Sequence, residues 1–285
     1  MDLQPLRHKI MLTTEIAYLG PQGTFAHLVA EKRYRGRTLI PQNSIDDVFR
    51  YVQADPGRKG IVPIENSSGG TIYETVDHLI DRSCTLSIQE ELSIKVRLAL
   101  LGHKRESVRV LYSHFAPFHH CDGWIKENFP DVERRETKST AEAAKLASSE
   151  NNAAALGTRD AAHVYNLDIL HFPVTEDVPN VTQFFSLGHK TVDPRLCKKT
   201  SIVASLRNAP GSLVAFLEPF SKAGVNLTRI VSRPVAGHPN TYVFFVDIAG
   251  TVNDPTIKRA LTSAGKVSRY IRVVGTYPIH PSYTS

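Results

Sequence analysis

Cysteine is scarce in this chain. Cys84, Cys121 and Cys197 are an odd number and widely spaced. That pattern fits neither a disulfide framework nor a metal-ligand spacing, and it suits reduced thiols in the cytoplasm. Long apolar runs are missing too. The longest lies near Tyr242–Val246, far short of the roughly 20 residues a membrane helix needs. Met1–Leu12 holds no apolar stretch long enough for a secretory signal. The expectation is a soluble cytoplasmic protein with no membrane partner. Charge of one sign is also lacking: 34 Lys+Arg stand against 28 Asp+Glu, a net charge of +6. The positive residues are scattered, as in Glu31–Lys32–Arg33, with no basic stripe carrying interleaved aromatics. Nucleic acid is therefore set aside as a partner, and an anionic small molecule accounts for the excess as well. The single tryptophan, Trp124, reads as packing.

What is present is ordinary globular material. Over 285 residues, 41% are hydrophobic and 22% charged, which sets disorder aside and suits about two domains. Short apolar runs end in polar turns and pass into helical spacing, as at Ile16–Leu19, Gly60–Ile64, Val108–Leu111 and Ala153–Leu156. Leu86–Ile88, Ile94–Leu101 and Phe184–Leu187 read as further strands. The alternation predicts an α/β body with largely parallel sheets. Around His189–Lys199 the pattern breaks into a polar stretch containing Pro194. Beyond it the order becomes strand, helix (Gly211–Ala223), two strands around a Pro234–Pro239 turn, helix (Pro255–Ala264) and strand. That is βαββαβ, a ferredoxin-like sandwich. The expected division is 15–190 as a body, 191–199 as a linker and 200–281 as a small second domain.

Four polar turns mark the ends of strands: Gly20–Thr24, Glu65–Gly70, Ser113–His114 and Lys138–Ala141. Ligands of open α/β sheets bind beyond the carboxyl ends of strands. Three of these turns run directly into helices, whose free N–H groups attract anions. Each turn alone is explained as a helix cap. Together they point to a pocket for a carboxylate-bearing substrate between two lobes, with Thr24, Ser67, Ser139 and Thr140 as hydroxyl donors.

Gly20–Pro21–Gln22–Gly23–Thr24–Phe25, Val62–Pro63–Ile64–Glu65–Asn66–Ser67, Tyr112–Ser113–His114 leading to Cys121, and Ser139–Thr140–Ala141 together resemble the prephenate dehydratase family in order and spacing. The tail resembles the ACT domain attached to that enzyme, through Gly211–Ser212–Leu213–Val214 and Ser232–Arg233–Pro234. The likeness runs from about Glu15 to Pro281 and is nearest to the dehydratase part of fused chorismate mutase–prephenate dehydratases. The 15 residues before it are too few for a mutase helix. The resemblance implies a two-lobed, periplasmic-binding-protein-like catalytic domain followed by a βαββαβ regulatory domain. It implies prephenate as substrate, lost carbon dioxide and hydroxyl, and phenylpyruvate as product in phenylalanine biosynthesis. Aromatisation drives that reaction, so no metal and no cofactor are expected. Thr182 is the implied proton donor. Thr24, Asn66, Ser67, Ser113, Ser139, Thr140, Asn180, Gln183 and Phe184 are the implied substrate contacts. Gly211, Leu213, Val214, Ser232, Arg233 and Pro234 are the implied allosteric residues for an amino-acid effector. A homodimer or homotetramer assembled through the ACT domain is expected.

Two departures from the family pattern matter. Its Thr-Arg-Phe motif stands here as Thr182–Gln183–Phe184. Loss of a charge-assisted contact in a buried site costs roughly 2–4 kcal/mol. Either another cation takes over, with Arg159 and Lys138 the candidates near matched turns, or the chemistry has shifted. A shifted chemistry would be decarboxylation of prephenate with the hydroxyl kept, in a secondary-metabolite pathway. A non-catalytic amino-acid sensor is a third reading, and a solute-binding transport component, which needs export, is a fourth. A jump in phenylpyruvate output in Gln183→Arg would show that this position governs the outcome. The second departure is Val231–Ser232–Arg233–Pro234, where the family has Glu-Ser-Arg-Pro. It predicts that feedback by phenylalanine is weak, or that another ligand is sensed. Asp46–Asp47 and Glu90–Glu91 read as solvated faces. Glu65 reads as ordering its turn, with a general acid–base role as the lesser reading. His119–His120 diverge on any regular element and read as non-ligating.

Overall fold

The computed structural model describes residues 14–105, 108–175, 179–190, 192–235, 237 and 240–285. The expectation for Met1–Leu12 and part of the Pro234–Pro239 turn lie outside them.

The first lobe runs β1 (Ile16–Leu19), α1 (Phe25–Arg33), β2 (Leu39–Gln42), α2 (Ile45–Gln53), β3 (Lys59–Asn66), β4 (Gly70–Thr71), α3 (Tyr73–Ile80) and β5 (Ser87–Lys95). The chain then crosses to a second lobe. There it forms β6 (Ala99–Gly102), β7 (Val110–Ser113), α4 (Phe115–His120), α5 (Asp122–Asn128), β8 (Glu133–Glu136), α6 (Thr140–Ser148), β9 (Ala153–Gly157), α7 (Arg159–Tyr165) and β10 (Asp168–His171). It returns as β11 (Val181–Gly188), which inserts between β5 and β3. The helices start where the sequence supplies caps. Thr24, Ser44, Ser139 and Thr158 each accept a hydrogen bond from the N–H three residues on, a contact worth about 1 kcal/mol each.

Both sheets are mixed rather than largely parallel. In the first lobe β1 pairs in parallel with β2 and β3, whereas β11 runs antiparallel to β3 and β5. In the second, β7 is parallel to β8 and β9, and β6 is antiparallel to β9 and β10. The antiparallel strands are those that lead into or out of the crossings between lobes. The same crossing divides the expected strand Ile94–Leu101: β5 ends at Lys95 and β6 begins at Ala99.

After a 3₁₀ turn at Pro194–Leu196, the C-terminal domain forms β12 (Lys199–Ser205), α8 (Ser212–Lys222), β13 (Leu227–Pro234), β14 (Tyr242–Ala249), α9 (Pro255–Val267) and β15 (Tyr270–Tyr277). Its sheet order is β13-β14-β12-β15. One face of this sheet packs on α8 and α9 through Ile202, Ala204, Phe216, Phe220 and Val246. The other packs against the first lobe: Val203, Val231, Phe245 and Tyr277 share a core with Val62, Phe185 and Leu187. A Cβ at Gly275 would lie 2.5 Å from the Ile88 carbonyl oxygen, so glycine there lets β15 approach β5. The chain then adds β16 (Tyr283–Thr284) in parallel beside β5.

The Glu90–Glu91 expectation is overturned. Both are buried, at 8% and 4% exposure, because β5 lies between β11 and β16 and both of its faces are covered. Glu90 accepts from Arg33 Nε at 2.6 Å. Glu91 accepts from Lys199 Nζ of the C-terminal domain at 2.7 Å. Asp46 and Asp47 do stay at the surface, pairing with Arg50. Among the described residues no helix is long and apolar enough to cross a membrane.

Candidate active site

Strand ends build the cleft. β1 and β3 carry Gly20–Thr24 and Asn66 at their carboxyl ends in the first lobe. β7 and β9 carry Ser113 and Gly157 at theirs in the second. The two crossings are tied side by side, with Val96 N–H donating to Asn180 O at 2.7 Å and Val174 N–H to Leu98 O at 2.8 Å. The lobes meet across the cleft. Thr158 Oγ1 donates to Gly23 O at 2.8 Å and Tyr165 Oη to Gln22 O at 2.9 Å. Gly23 has φ +91, and a Cβ there would crowd Tyr165 and Ala161. Ser68 Oγ lies 3.3 Å from His120 Nδ1.

The core of the site is a triad of side chains at the return crossing, where the chain enters β11. Asn66 Oδ1 accepts from the N–H groups of Ser68 and Gly69, at 2.9 and 2.7 Å. Those two bonds fix which end of the amide is oxygen. Asn66 Nδ2 therefore donates, to Asn180 Oδ1 and to Thr182 Oγ1, both at 2.8 Å. Because Thr182 accepts from Asn66, its own hydroxyl hydrogen is directed elsewhere. Thr182 and Asn180 are both buried. Ser67 ties the triad to the crossing, donating to Pro179 O and accepting from Val181 N–H.

The other expected hydroxyls divide. Thr24 is spent locally: it donates to Leu19 O and accepts from His27 N–H. Ser139 caps α6 by accepting from Glu142 N–H, and the Glu142 carboxylate accepts from Lys138 N–H, one residue before the cap. Ser113 and Thr140 are buried in the second lobe, Ser113 donating to Leu156 O at 3.3 Å. Phe184 packs in the first lobe's core with Tyr18 and Leu28. Gln183 lies on the opposite side of β11 from Thr182, and its amide oxygen accepts from Arg229 of β13. Neither candidate replacement cation is near Gln183 in its contacts. The Arg159 guanidinium lies 4.4 Å from the centre of the Phe172 ring, and Lys138 sits at the start of α6.

Several nearby groups titrate away from their ordinary values. Burial lowers the pKa of His114 and His120. His27, whose Nδ1 accepts from Gly23 N–H at 3.4 Å, is lowered for the same reason. All three are held toward the neutral imidazole. Burial pushes Cys121 up to about 11, so it stays a thiol.

Of the expected allosteric residues, Gly211 has φ +80 and opens α8. Leu213 lines an open recess of about 150 Å³ with Arg207, Asn208, Asn240 and Tyr242. Val214 is exposed. Ser232 and Pro234 are on the exposed side of β13. Arg233 turns to the first lobe, pairing with Asp77 at 2.5 Å and covering Tyr73. Sequence reasoning missed Arg229, and it read His120, which meets Ser68 at the cleft, only as non-ligating. The signal for Arg229 was the alternation Arg229, Val231, Arg233 along one side of a strand.

A family model for prephenate dehydratase matches residues 16–192, and a model for the ACT domain matches 200–266. The chain is 38% identical over 268 residues to the bifunctional chorismate mutase/prephenate dehydratase of Pseudomonas aeruginosa, covering 93% of this chain and 73% of that protein. It is 32% identical over 280 residues to arogenate dehydratase/prephenate dehydratase 2, chloroplastic, of Arabidopsis thaliana, covering 93% and 72%. Prephenate dehydratase from Arthrobacter aurescens in complex with L-Phe superposes with a TM-score of 0.84 at 26% identity, covering 93% of this chain and 90% of that one. By motif, fold and sequence, this chain belongs to the prephenate dehydratase family and carries a C-terminal ACT domain.

Proposed function

We propose that the chain converts prephenate to phenylpyruvate, with Thr182 as proton donor. The observation that carries this reading is the orientation of the triad. Asn66 donates to Thr182 Oγ1, so the threonine hydrogen is left for an acceptor in the cleft. In the reaction the bond between the ring and its carboxylate breaks. Its electron pair moves into the ring, and the ring hydroxyl leaves from the opposite carbon. Hydroxide is a poor leaving group, and a proton delivered to it as the bond breaks is worth about 100-fold or more. Thr182 supplies that proton and is restored by one proton taken up from solvent, so the dianionic substrate plus that proton gives carbon dioxide, water and the phenylpyruvate monoanion. The substrate carboxylates fall to the strand ends and helix starts of the two lobes, where free N–H groups are preorganised. Ser113, Ser139 and Thr140 lie on that side of the second lobe.

Gln183 was the reason to suspect a decarboxylase that keeps the hydroxyl. Its contact with Arg229, on the far side of β11 from Thr182, removes that reason and favours dehydration. The same reading puts the enzyme in the cytoplasm as a homo-oligomer built through the ACT domain, where Val214 of α8, Ile230 of β13 and Tyr242 of β14 are exposed. The ACT recess beside Gly211 and Leu213 is the proposed amino-acid effector site. The test is Thr182→Ala, assayed for turnover and for prephenate binding. Turnover is expected to fall by about 100-fold or more while binding moves little. Turnover within a few-fold of the native enzyme would remove Thr182 as the donor.

A further inference from the structure

Arg229 is 6% exposed and its guanidinium forks onto three acceptors from two domains. Nε donates to Glu65 Oε2 on β3 at 2.8 Å. Nη2 donates to Gln183 Oε1 on β11 and Nη1 to Asp247 Oδ2 on β14. Asp247 is fully buried and also accepts from Ser201 Oγ at 2.5 Å, which in turn meets Tyr277 Oη at 2.5 Å. Arg229 thus arrives at the first lobe already fastened to its own sheet.

Where it lands is specific. Glu65 precedes Asn66, and Gln183 follows Thr182. The two pairs are neighbours in register: Glu65 lies opposite Gln183, and Asn66 opposite Thr182. Directly beyond Gln183 the register shifts, because Phe184 pairs with Pro63 and leaves Ile64 as an extra residue. A bulge disrupts the ladder locally and leaves a residue unpaired. The Asn66–Thr182 contact therefore sits at the end of a ladder that is broken beside it. A rigid, always-charged fork across Glu65 and Gln183 fastens the two strands at that point. A neutral residue at 183 suits this arrangement, since an Arg there would put two guanidinium groups together.

We propose that Arg229 is a positioning residue of the dehydratase centre, delivered by the ACT domain, which sets the Asn66–Thr182 register by bridging Glu65 and Gln183. Docking of the ACT sheet is then a condition of proton donation. This rests on the dehydratase reading for its kinetic arm but not for its exchange arm.

The test uses the full chain and the variants Arg229→Lys, Arg229→Gln, Gln183→Arg and the swap Gln183→Arg/Arg229→Gln. Lysine keeps the charge facing Asp247 but cannot fork onto three acceptors. Arg229→Lys should lower kcat about tenfold with KM for prephenate within about threefold. Amide exchange over residues 60–67 and 180–186 should quicken while 200–206 stays protected. Gln183→Arg should also lose activity, and the swap, with one guanidinium restored, should exceed both Gln183→Arg and Arg229→Gln alone. Native kcat and exchange in Arg229→Lys, a gain of activity in Gln183→Arg, or no recovery in the swap would each overturn the proposal. If the native chain does not turn over prephenate, the dehydratase reading fails, and exchange at 180–186 still decides the role of Arg229.

Discussion

At the scale of residues, the site depends on hydrogen bonds whose direction is fixed. The Ser68 and Gly69 N–H groups force Asn66 to present its NH₂ to Thr182. Replacing Asn66 by Asp would turn that donor into an acceptor. The Thr182 hydrogen would then be drawn to residue 66 and away from the cleft. Asn66→Asp is therefore expected to lower kcat by about 100-fold, with steady-state kinetics on prephenate as the check. The histidines give a pH prediction. Their folded pKa values are lowered by burial, so below the ordinary value of 6.5 the unfolded chain binds protons that the folded chain refuses. Their contribution is complete above 6.5 and is lost as pH falls through the folded values. His27 and His114 also accept through Nδ1, an atom that protonation removes as an acceptor. The urea midpoint should fall between about pH 7.5 and 5.5, less so in His114→Asn, which keeps a capping side chain. An unchanged midpoint over that range would contradict the assignment. Sequence made Thr182, Asn66 and Asn180 legible because they sit in matched motifs. It could not show Glu90 or Glu91 as buried, since their partners are 57 and 108 residues away.

At the scale of elements, β11 and β13 matter most, because each presents different chemistry on its two sides. On β11, Thr182 and Phe184 face one way while Gln183, Phe185 and Leu187 face the ACT sheet. A one-dimensional motif lists Thr182, Gln183 and Phe184 together, although strand geometry separates neighbours. That is why the cation opposite Gln183 belongs to the ACT domain and not to the cleft. Along β13, Val231, which stands where the family motif has Glu, joins the interdomain core. Apolar packing at that position favours a docked ACT sheet and leaves one fewer polar group for an effector. Calorimetry with phenylalanine should give weak binding; micromolar affinity with tight inhibition would contradict this. The β15–β5 contact makes a separate prediction. In Gly275→Val the new side chain meets the Ile88 backbone and must push the sheets apart. Limited proteolysis should cut faster near residues 189–198, and kcat should fall with it. Native resistance would show that the contact tolerates the added volume.

At the scale of the whole molecule, two lobes and a docked ACT sheet form one working unit. The βαββαβ order was readable in the sequence because periodicity and turn residues mark it. The lobe crossings were not, since Ile94–Leu101 is an unbroken strand-like pattern whose division at Val96–Leu98 is set by tertiary structure. The return of the chain as β16 beside β5 left no local signal either. What the unit does is most directly tested by incubating the purified protein with prephenate and following carbon dioxide release alongside the proton spectrum of the product. Carbon dioxide with aromatic signals in equal amount is the expected result. Carbon dioxide with vinyl and carbinol signals retained, or no gas above a buffer blank, would contradict dehydration by this site.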